Sequence, residues 1–538
     1  MKLLHNVALA ALVLASAPAW AQGPIVTAPS GSVKGTLDGN IRSFKGIPYA
    51  VPPVGGMRWR PPAPLEPWKG VRAATDFGPA CVQTQNPGGA SVYSPAARLP
   101  VSEDCLTLNI WAPANARKAP VFFWIHGGAL TGGTSSDPTY DGKHLAEQGV
   151  VVVSINYRLG VLGWLAHPAL SKESPQKVSG NYGLLDQEAA LAWVKHNIAA
   201  FGGDPANVTI AGESAGGLSV LFLMESPLAR GTFHKAIAQS SYMVTMPELK
   251  KAAYGSPSAE AIGQMLGQGL QAPDLAALRG MDAQTLTDGA ARLGFFPFGV
   301  VDGLVLPEQM VDAFDKGHQA PVPILAGFNQ GEIRSLMVLA PKAPDSAADY
   351  EKAIRERYGE FANAFLKLYP AADYKQSILA TTRDALYGWT AERLARRQTA
   401  LGQPAYLYLW DHGYPAMEAA GLHAFHASEL PYMFGNFGSL PPRWPQVPDS
   451  ERPLSDAMIG YWTSFAKTGA TGAGWPAYGQ QRNYLHIGDT PKAEAGLMPG
   501  MYEQYEAVVC RRRAAGVAWN WNVGLASPKL PPKAPGCE

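Results

Sequence analysis

A serine in a glycine-rich setting is the first candidate for chemistry in this chain. The stretch "IAGESAGG" at 210–217 contains the pattern G-x-S-x-G, with Ser214 at its centre. The apolar run "NVTIAG" before it predicts a short strand, and "SAGGLSVLFLMES" predicts a helix that ends before Pro227. A strained turn between such a strand and helix lifts the serine oxygen above the sheet edge. We therefore predict that Ser214 is a nucleophile; the alternative is a glycine-rich turn with an incidental serine.

A nucleophilic serine needs donors for the negative charge that develops on the carbonyl oxygen of its substrate. The helix that follows Ser214 offers the N–H of Ala215 at its N-terminus. The stretch "FWIHGGAL" places Gly127 and Gly128 directly after another apolar run, and glycines allow the backbone to approach the oxyanion closely. We expect these three amides to form an oxyanion hole, although a simple Gly-Gly turn is the alternative.

The serine also needs a general base, which is almost always a histidine oriented by a carboxylate. In hydrolases with this turn, the acid and then the histidine follow the serine along the chain. The candidate bases are His318, His412, His423, His426 and His486. His423 and His426, with Glu429, form the spacing H-x-x-H-x-x-E, which could line one helix face as a metal site. A metal-dependent hydrolase is therefore a second hypothesis, but no H-E-x-x-H motif accompanies it.

The elements that must position these residues follow an α/β pattern. The runs "APVFFWIHGG" and "GVVVVSINYRLG" are continuously apolar, which is typical of strands buried on both faces. Between the second run and the serine, "NYGLLDQEAALAWVKHNIAAFGG" has helical spacing and ends at Gly202-Gly203. Alternating strands and helices predict an α/β fold with a central, mostly parallel sheet flanked by helices.

The regions on either side of this core differ from it in composition. Residues 22–115 are rich in β-branched residues, Gly and Pro, and predict antiparallel strands with tight turns at one sheet edge. Beyond residue 250 the pattern is mostly helical, with short strands at 322–329 and 405–410. No linker divides the chain convincingly, so we expect residues 22–538 to form one domain with large helical insertions.

Composition and the N-terminus limit the cellular setting. The 538 residues carry 44 basic and 43 acidic side chains, a balance that does not suggest nucleic acid or an anionic membrane as a partner. Residues 1–21 combine a positive start, an apolar core and an A-x-A site, which predicts a signal peptide cleaved near Ala21. No other apolar run is long enough to span a bilayer. We expect a secreted or periplasmic protein.

The cysteine count is consistent with export. Cys81, Cys105, Cys510 and Cys537 are the four cysteines of the chain. An even number in an oxidising compartment suggests two disulfides, for which three pairings exist. Pairing each cysteine with its nearer neighbour closes the shortest loops and would fix the Pro-rich tail "SPKLPPKAPGC". Free buried thiols are the alternative.

A set of motifs spread over the chain resembles a known family. The stretches "SEDCLTLNIWAP", "WIHGG", "INYRLG", "NYGLLDQ", "FGGDPANVTIAGESAGG", "AIAQSS" and "HASELPYMFG" are similar to those of type-B carboxylesterases. This family is the cholinesterase-like branch of the α/β-hydrolases, and the bacterial para-nitrobenzyl-esterase-like members are the nearest in character. The similarity runs from about residue 24 to about 510, with the motifs in family order. It implies the α/β-hydrolase fold, hydrolysis of carboxylic esters, and neither a metal nor an organic cofactor.

The resemblance also assigns residues that spacing alone leaves open. The family's acid lies five residues after a Gly that follows a strand, which points to Glu332 in "ILAGFNQGEIRS". The family's base stands three residues before a Glu, which selects His426 and leaves His423 as a neighbour near the mouth of the site. Ser240 resembles a serine that supports the acid carboxylate, and Cys81–Cys105 matches the family's first disulfide.

Departures from the family pattern bear on the substrate. Ala129 replaces the third Gly of the usual H-G-G-G run, which we expect to trim the site without disabling it. The loop between Cys81 and Cys105 has no Trp, where cholinesterases carry their cation-binding Trp, and Tyr93 is its only aromatic residue. Choline esters are therefore disfavoured. The aromatic stretch "LGFFPFGVVDG" at 293–303 either lines the acyl pocket or belongs to the core.

The sequence as a whole predicts an exported serine hydrolase that cleaves a small or medium-sized organic ester through an acyl-enzyme. Its partners would be the ester itself and, in a homodimer, a second copy of the chain; a monomer is equally consistent. A non-catalytic binding or adhesion protein of the same superfamily is the remaining alternative, and the three intact triad positions argue against it.

Overall fold

A computed structural model describes residues 23–86, 88–519 and 524–537. The predicted signal peptide over residues 1–21, with its cleavage near Ala21, lies outside the described residues. Among the described helices, none combines the length and apolar character that crossing a bilayer would require.

The apolar runs form the centre of a mixed sheet, which has eleven strands in the described part of the chain. Seven neighbouring strands run parallel, and antiparallel strands flank them on both sides. This confirms the predicted α/β fold with a mostly parallel sheet. In spatial order the strands are Pro491–Ala495, Asn483–Ile487, Ala405–Trp410, Ile324–Asn329, Lys235–Gln239, Gly203–Glu213, Ala119–Ile125, Val151–Ile155, Thr107–Pro113, Ile41–Pro48 and Thr36–Asp38.

The strand Ala119–Ile125 illustrates why a continuous apolar run is needed here. Its side chains alternate between two cores: Phe123 packs in the core on one face, and Phe122 and Trp124 pack in the core on the other. Because helices cover both faces of a parallel sheet, both sets of side chains leave water. All residues of Val151–Ile155 are likewise buried.

Smaller sheets lie upstream, in the region for which the sequence predicts antiparallel strands with tight turns. Ile25–Ala28 pairs antiparallel with Gly31–Lys34, which also pairs with Val71–Ala73. Ala80–Cys81 pairs with Val101–Ser102 at the base of the loop that the first two cysteines close.

The helices surround the sheet and dominate the second half of the chain, as predicted. Tyr182–Asn197 continues as a 3-10 turn and stops at Gly202, which adopts a left-handed conformation with φ 91°. The α-helices are Lys143–Glu147, Gly160–Trp164, Pro168–Glu173, Tyr182–Asn197, Ala215–Glu225, Ala259–Gly269, Leu275–Gly280, Ala283–Arg292, Met310–Lys316, Ala347–Tyr358, Ala362–Leu368, Tyr374–Arg383, Trp389–Ala400, Pro415–Ala419, Leu430–Phe434, Arg452–Thr468 and Met501–Ala514.

Two disulfides fix peripheral segments to this framework. Cys81–Cys105 closes the loop that contains Tyr93, and Cys510–Cys537 joins the Met501–Ala514 helix to the C-terminal tail. These are the local pairings that the sequence favours, and no cysteine is left free. The loops that they close span 24 and 27 positions, lengths for which a cross-link typically stabilises the folded state by about 3 kcal/mol.

Candidate active site

The nucleophile candidate lies on the predicted strand-to-helix turn. Ser214 separates Gly203–Glu213 from Ala215–Glu225 and has φ 56° and ψ −120°, a backbone conformation that is strained for a residue with a Cβ. A Cβ on Gly212 would lie 2.4 Å from the carbonyl carbon of Gly216, and one on Gly216 would lie 2.1 Å from the oxygen of Ile125. The glycines of the motif are therefore required by close backbone contacts.

The oxyanion-hole candidates lie against this turn. A Cβ on Gly127 would come within 2.8 Å of the backbone oxygen of Glu213 and 3.2 Å of the Cβ of Ser214. Gly128 has φ 106°, which favours glycine. Ala215 begins the helix, so its N–H has no acceptor within the helix. The structure thus brings all three amides to the neighbourhood of Ser214.

Two residues from the loops that depart from the family pattern also border this region. Ala129 lines the same cavity as Ser214 and has φ 54°. Tyr93 reaches it from the disulfide-closed loop, and its hydroxyl donates to the backbone oxygen of His426 at 2.7 Å and contacts Ser335 Oγ at 2.7 Å. The loop that lacks a Trp therefore still contributes one aromatic ring, which holds the backbone of the candidate base.

The acid and base candidates are in direct contact. Glu332, just after the strand Ile324–Asn329, accepts a hydrogen bond through Oε2 from Nδ1 of His426. Its Oε1 accepts from the N–H of Asn329 at 2.8 Å and from Ser240 Oγ at 2.6 Å. The carboxylate is fully buried, and these donors fix its orientation toward the imidazole.

A second buried carboxylate secures the loop that carries the base. Asn329 Nδ2 donates to the backbone oxygen of Phe425 at 2.9 Å and to Glu429 Oε2 at 2.6 Å. Gln239 Nε2 donates to the other oxygen of Glu429 at 3.0 Å. Burial raises the pKa of Glu429 to about 7. The sequence identified Glu429 only by its register to His426; its partners come from two strands far away in the chain.

Glu213 is a neighbour of the base that sequence reasoning missed. Its Oε1 lies 3.1 Å from Nε2 of His426, although this oxygen accepts no hydrogen bond from the described residues. Burial raises the pKa of Glu213 to about 8. Burial also lowers the pKa of His426, but the carboxylates of Glu213 and Glu332 outweigh it and raise the pKa above its usual value. Only the position of Glu213 directly before Ser214 could have signalled this contact.

The other histidine of the pair faces different partners. His423 Nε2 lies 2.7 Å from Asp411 Oδ1, and its Nδ1 contacts Glu418. Its side chain is partly exposed, and hydrogen bonding to Asp411 raises its pKa. His423, His426 and Glu429 do not converge on one point, and no cluster that could hold a metal ion occurs among the described residues. This geometry does not support a metal site at the predicted spacing.

These residues border a cavity of about 480 Å³. Ser214, His426, Gly127 and Gly128 line it together with mostly apolar walls, and no Lys or Arg is among the described residues that do so. Phe296, from the aromatic stretch at 293–303, reaches the wall, whereas Phe298 packs against the core. The stretch thus contributes one ring to the cavity wall and one to the core, and its place in an acyl pocket stays a prediction. Further wall residues are Tyr93, Tyr140, Tyr242, Tyr387, Leu386, Leu430 and Trp444.

Comparison with known proteins places this geometry in context. A model of the carboxylesterase family matches residues 22–507. A fumonisin B1 esterase of Sphingopyxis macrogoltabida is 38% identical over 495 residues, which cover 87% of each chain. A para-nitrobenzyl esterase of Bacillus subtilis is 37% identical over 479 residues, which cover 87% of this chain and 95% of the relative.

Solved structures are similar over nearly the same span. A PNB esterase superposes with a TM-score of 0.75 at 35% identity, covering 88% of this chain and 97% of the other. A Geobacillus stearothermophilus carboxylesterase gives a TM-score of 0.72 at 33% identity, covering 91% of this chain and 99% of the other. The agreement in sequence and structure thus extends over most of the chain.

Proposed function

The chain belongs to the carboxylesterase family and is a serine ester hydrolase, and from this premise we propose that Ser214, Glu332 and His426 form its catalytic triad. The substrate is a small or medium-sized organic ester. The contact between Glu332 and Nδ1 of His426, at the wall of the cavity that Ser214 lines, is the observation that best supports this assignment.

The acylation half of the cycle uses the groups in these roles. Ser214 Oγ attacks the ester carbonyl carbon while Nε2 of His426 takes the hydroxyl proton. The amides of Gly127, Gly128 and Ala215 donate to the oxygen on which negative charge develops. When the tetrahedral intermediate collapses, the C–O bond to the alcohol breaks, and His426 returns the proton to the leaving oxygen.

Deacylation repeats these steps with water. His426 takes a proton from a water molecule, whose oxygen attacks the acyl carbon, and the same amides hold the oxyanion. Collapse then breaks the bond to Ser214 Oγ, which regains its proton, and a carboxylic acid leaves. Glu332 orients the imidazole and stabilises the imidazolium that forms in each half.

The compartment and the domain organisation are part of the same proposal. A signal peptide over residues 1–21 directs the chain to the periplasm or the exterior, where Cys81–Cys105 and Cys510–Cys537 are stable. Residues 22–538 then act as one α/β-hydrolase domain. The relatives, a fumonisin B1 esterase and a para-nitrobenzyl esterase, support an organic ester without selecting one.

A fluorophosphonate probe tests the nucleophile directly. We expect one probe per chain on Ser214, with labelling and hydrolysis of an aryl ester both abolished in Ser214→Ala. The matched control is Ser464→Ala, which removes a hydroxyl that donates to the Ala470 backbone oxygen. Labelling that survives Ser214→Ala, or an unlabelled wild-type protein, would refute the assignment.

A further inference from the structure

One carboxylate at the cavity wall has no role in the proposed catalytic cycle. Asp137 lies on the loop that follows the oxyanion glycines and lines the cavity of Ser214. It also lines an adjoining cavity of about 520 Å³ beneath the disulfide-closed loop. Tyr93, Gly133 and Pro441 are the other residues shared by the two cavities. Asp137 therefore lies at the boundary between the two cavities.

The carboxylate of Asp137 has polar donors but no counter-charge. Oδ1 accepts a hydrogen bond from the N–H of Thr139 at 2.9 Å, and the Thr139 side chain is a further neutral donor. No Lys, Arg or His of the described chain lies within 4.0 Å of either oxygen. Arg98 lines the adjoining cavity but forms no ion pair with the carboxylate of Asp137. Burying part of a carboxylate that has no cationic partner costs free energy, which its hydrogen bonds offset in part and a cationic ligand would offset further.

The walls of the catalytic cavity offer Asp137 no permanent counter-charge. Among the described residues that line it, the acidic side chains are Asp137 and Glu213, the imidazole is that of the base His426, and no Lys or Arg is present. Burial raises the pKa of Asp137, as expected for an anion without a counter-charge. A cationic donor would relieve this cost, whereas an anionic substituent would increase it.

We propose that Asp137 is a specificity-determining residue that binds an ammonium group on the ester, remote from the scissile carbonyl. The inference rests on the proposed function and narrows its substrate class to amino-bearing esters with a flexible arm. A primary ammonium donates an N–H to the carboxylate in addition to its charge. A quaternary ammonium has no N–H and would gain only the attraction between the charges.

The test compares matched ester pairs that differ by one group. Phenyl aminohexanoate and phenyl heptanoate place an ammonium or a methyl group at the end of the acyl arm, and aminohexyl and heptyl benzoate do the same on the alcohol arm. For each pair, the ratio of kcat/KM for the amino ester to kcat/KM for the neutral ester is measured in wild type and in Asp137→Asn. Asn keeps an oxygen for the Thr139 N–H but removes the charge.

Asp141→Asn is the matched control. Asp141 lies on the same loop and accepts a hydrogen bond at 2.9 Å from the N–H two residues later, Lys143, but it lines neither cavity. We expect Asp137→Asn to lower the ratio about tenfold in at least one pair, since a charge-assisted hydrogen bond is lost. Asp141→Asn should leave both ratios within about twofold.

The outcomes separate this inference from the proposed function. Ratios that are the same in wild type and Asp137→Asn for both pairs would overturn the ammonium site, even with full activity on neutral esters. Failure of Ser214 to hydrolyse the neutral esters would instead overturn the proposed function. If Asp137→Asn does not fold, Asp137→Ser provides the same comparison, because Ser retains an acceptor for the Thr139 N–H.

Discussion

The turn that carries the nucleophile and the loop that carries the base are built on different principles. Ser214 is held by backbone geometry: a positive φ, and glycines at 212 and 216 whose neighbours leave no room for a Cβ. His426 is held by side chains, since Glu332, Asn329 and Tyr93 each contact its ring or its loop from a separate part of the chain.

This difference indicates how each region can fail. A turn fixed by close backbone packing leaves no room for an added atom at its glycines. A loop fixed by individual hydrogen bonds loses precision one contact at a time, because each removed partner leaves a buried polar group unpaired. The two regions meet at Glu213, whose carboxylate lies 3.1 Å from His426 Nε2.

The largest effect is expected within the base loop itself. His426→Ala removes the proton acceptor and should lower kcat/KM for an aryl ester about 10⁴-fold or more. His423→Ala is the matched control, because that ring contacts Asp411 and Glu418 instead. We expect it to stay within about threefold of wild type. Comparable losses in both variants would contradict the assignment of the base.

The second-largest effect is expected at the turn that carries Ser214, and it is a loss of folding stability. Gly212→Ala places a Cβ 2.4 Å from the Gly216 carbonyl carbon and should lower the free energy of unfolding by about 3 kcal/mol or more. Gly460→Ala is the control, because a Cβ added at that position of the helix Arg452–Thr468 would meet no atom within 4 Å. Denaturant unfolding measures both. Equal stabilities of the two variants would show that backbone contact does not fix the turn.

A smaller effect is expected when one side-chain contact of the base loop is removed. Asn329→Ala deletes the donors to Phe425 and Glu429, so a buried carboxylate oxygen loses its partner. We expect the free energy of unfolding to fall by about 2 kcal/mol and kcat to fall about tenfold with little change in KM. Asn483→Ala, which removes an exposed bond to Ala477, should change neither quantity appreciably. Unaltered kcat in Asn329→Ala would argue that this contact does not position the base.

The smallest expected effect concerns Glu213, where the two regions meet, and it appears in the pH profile of kcat/KM. His426 must be neutral to accept a proton, and its raised pKa shifts the acid limb of the pH profile of kcat/KM above the usual histidine range. Glu213→Gln removes a carboxylate that favours the imidazolium, so the limb should move to lower pH by about one unit. Glu418→Gln, which changes a partner of His423, should leave the limb in place. A limb that does not move in Glu213→Gln would exclude electrostatic coupling between turn and base.

Local patterns in the sequence predicted the elements that hold the turn. The apolar runs of the parallel strands, the helix stop at Gly202 and the glycines around Ser214 report periodicity and backbone sterics, which act between neighbours in the chain. The local cysteine pairings follow from loop length in the same way. The fold class and the nucleophile candidate were therefore within reach of the residues themselves, and the family resemblance then selected Glu332 and His426.

Tertiary structure alone decided which side chains meet around the base and the cavity. Glu213 lies beside His426, Asn329 donates to both Phe425 and Glu429, and Asp137 lies between two cavities. These arrangements bring together segments that are far apart in the chain, and no local sequence pattern predicts them. Their contacts depend on strand register and on the path of each loop over the sheet edge. No local periodicity encodes these, because the free energy that fixes them comes from burial and hydrogen bonding across the assembled fold.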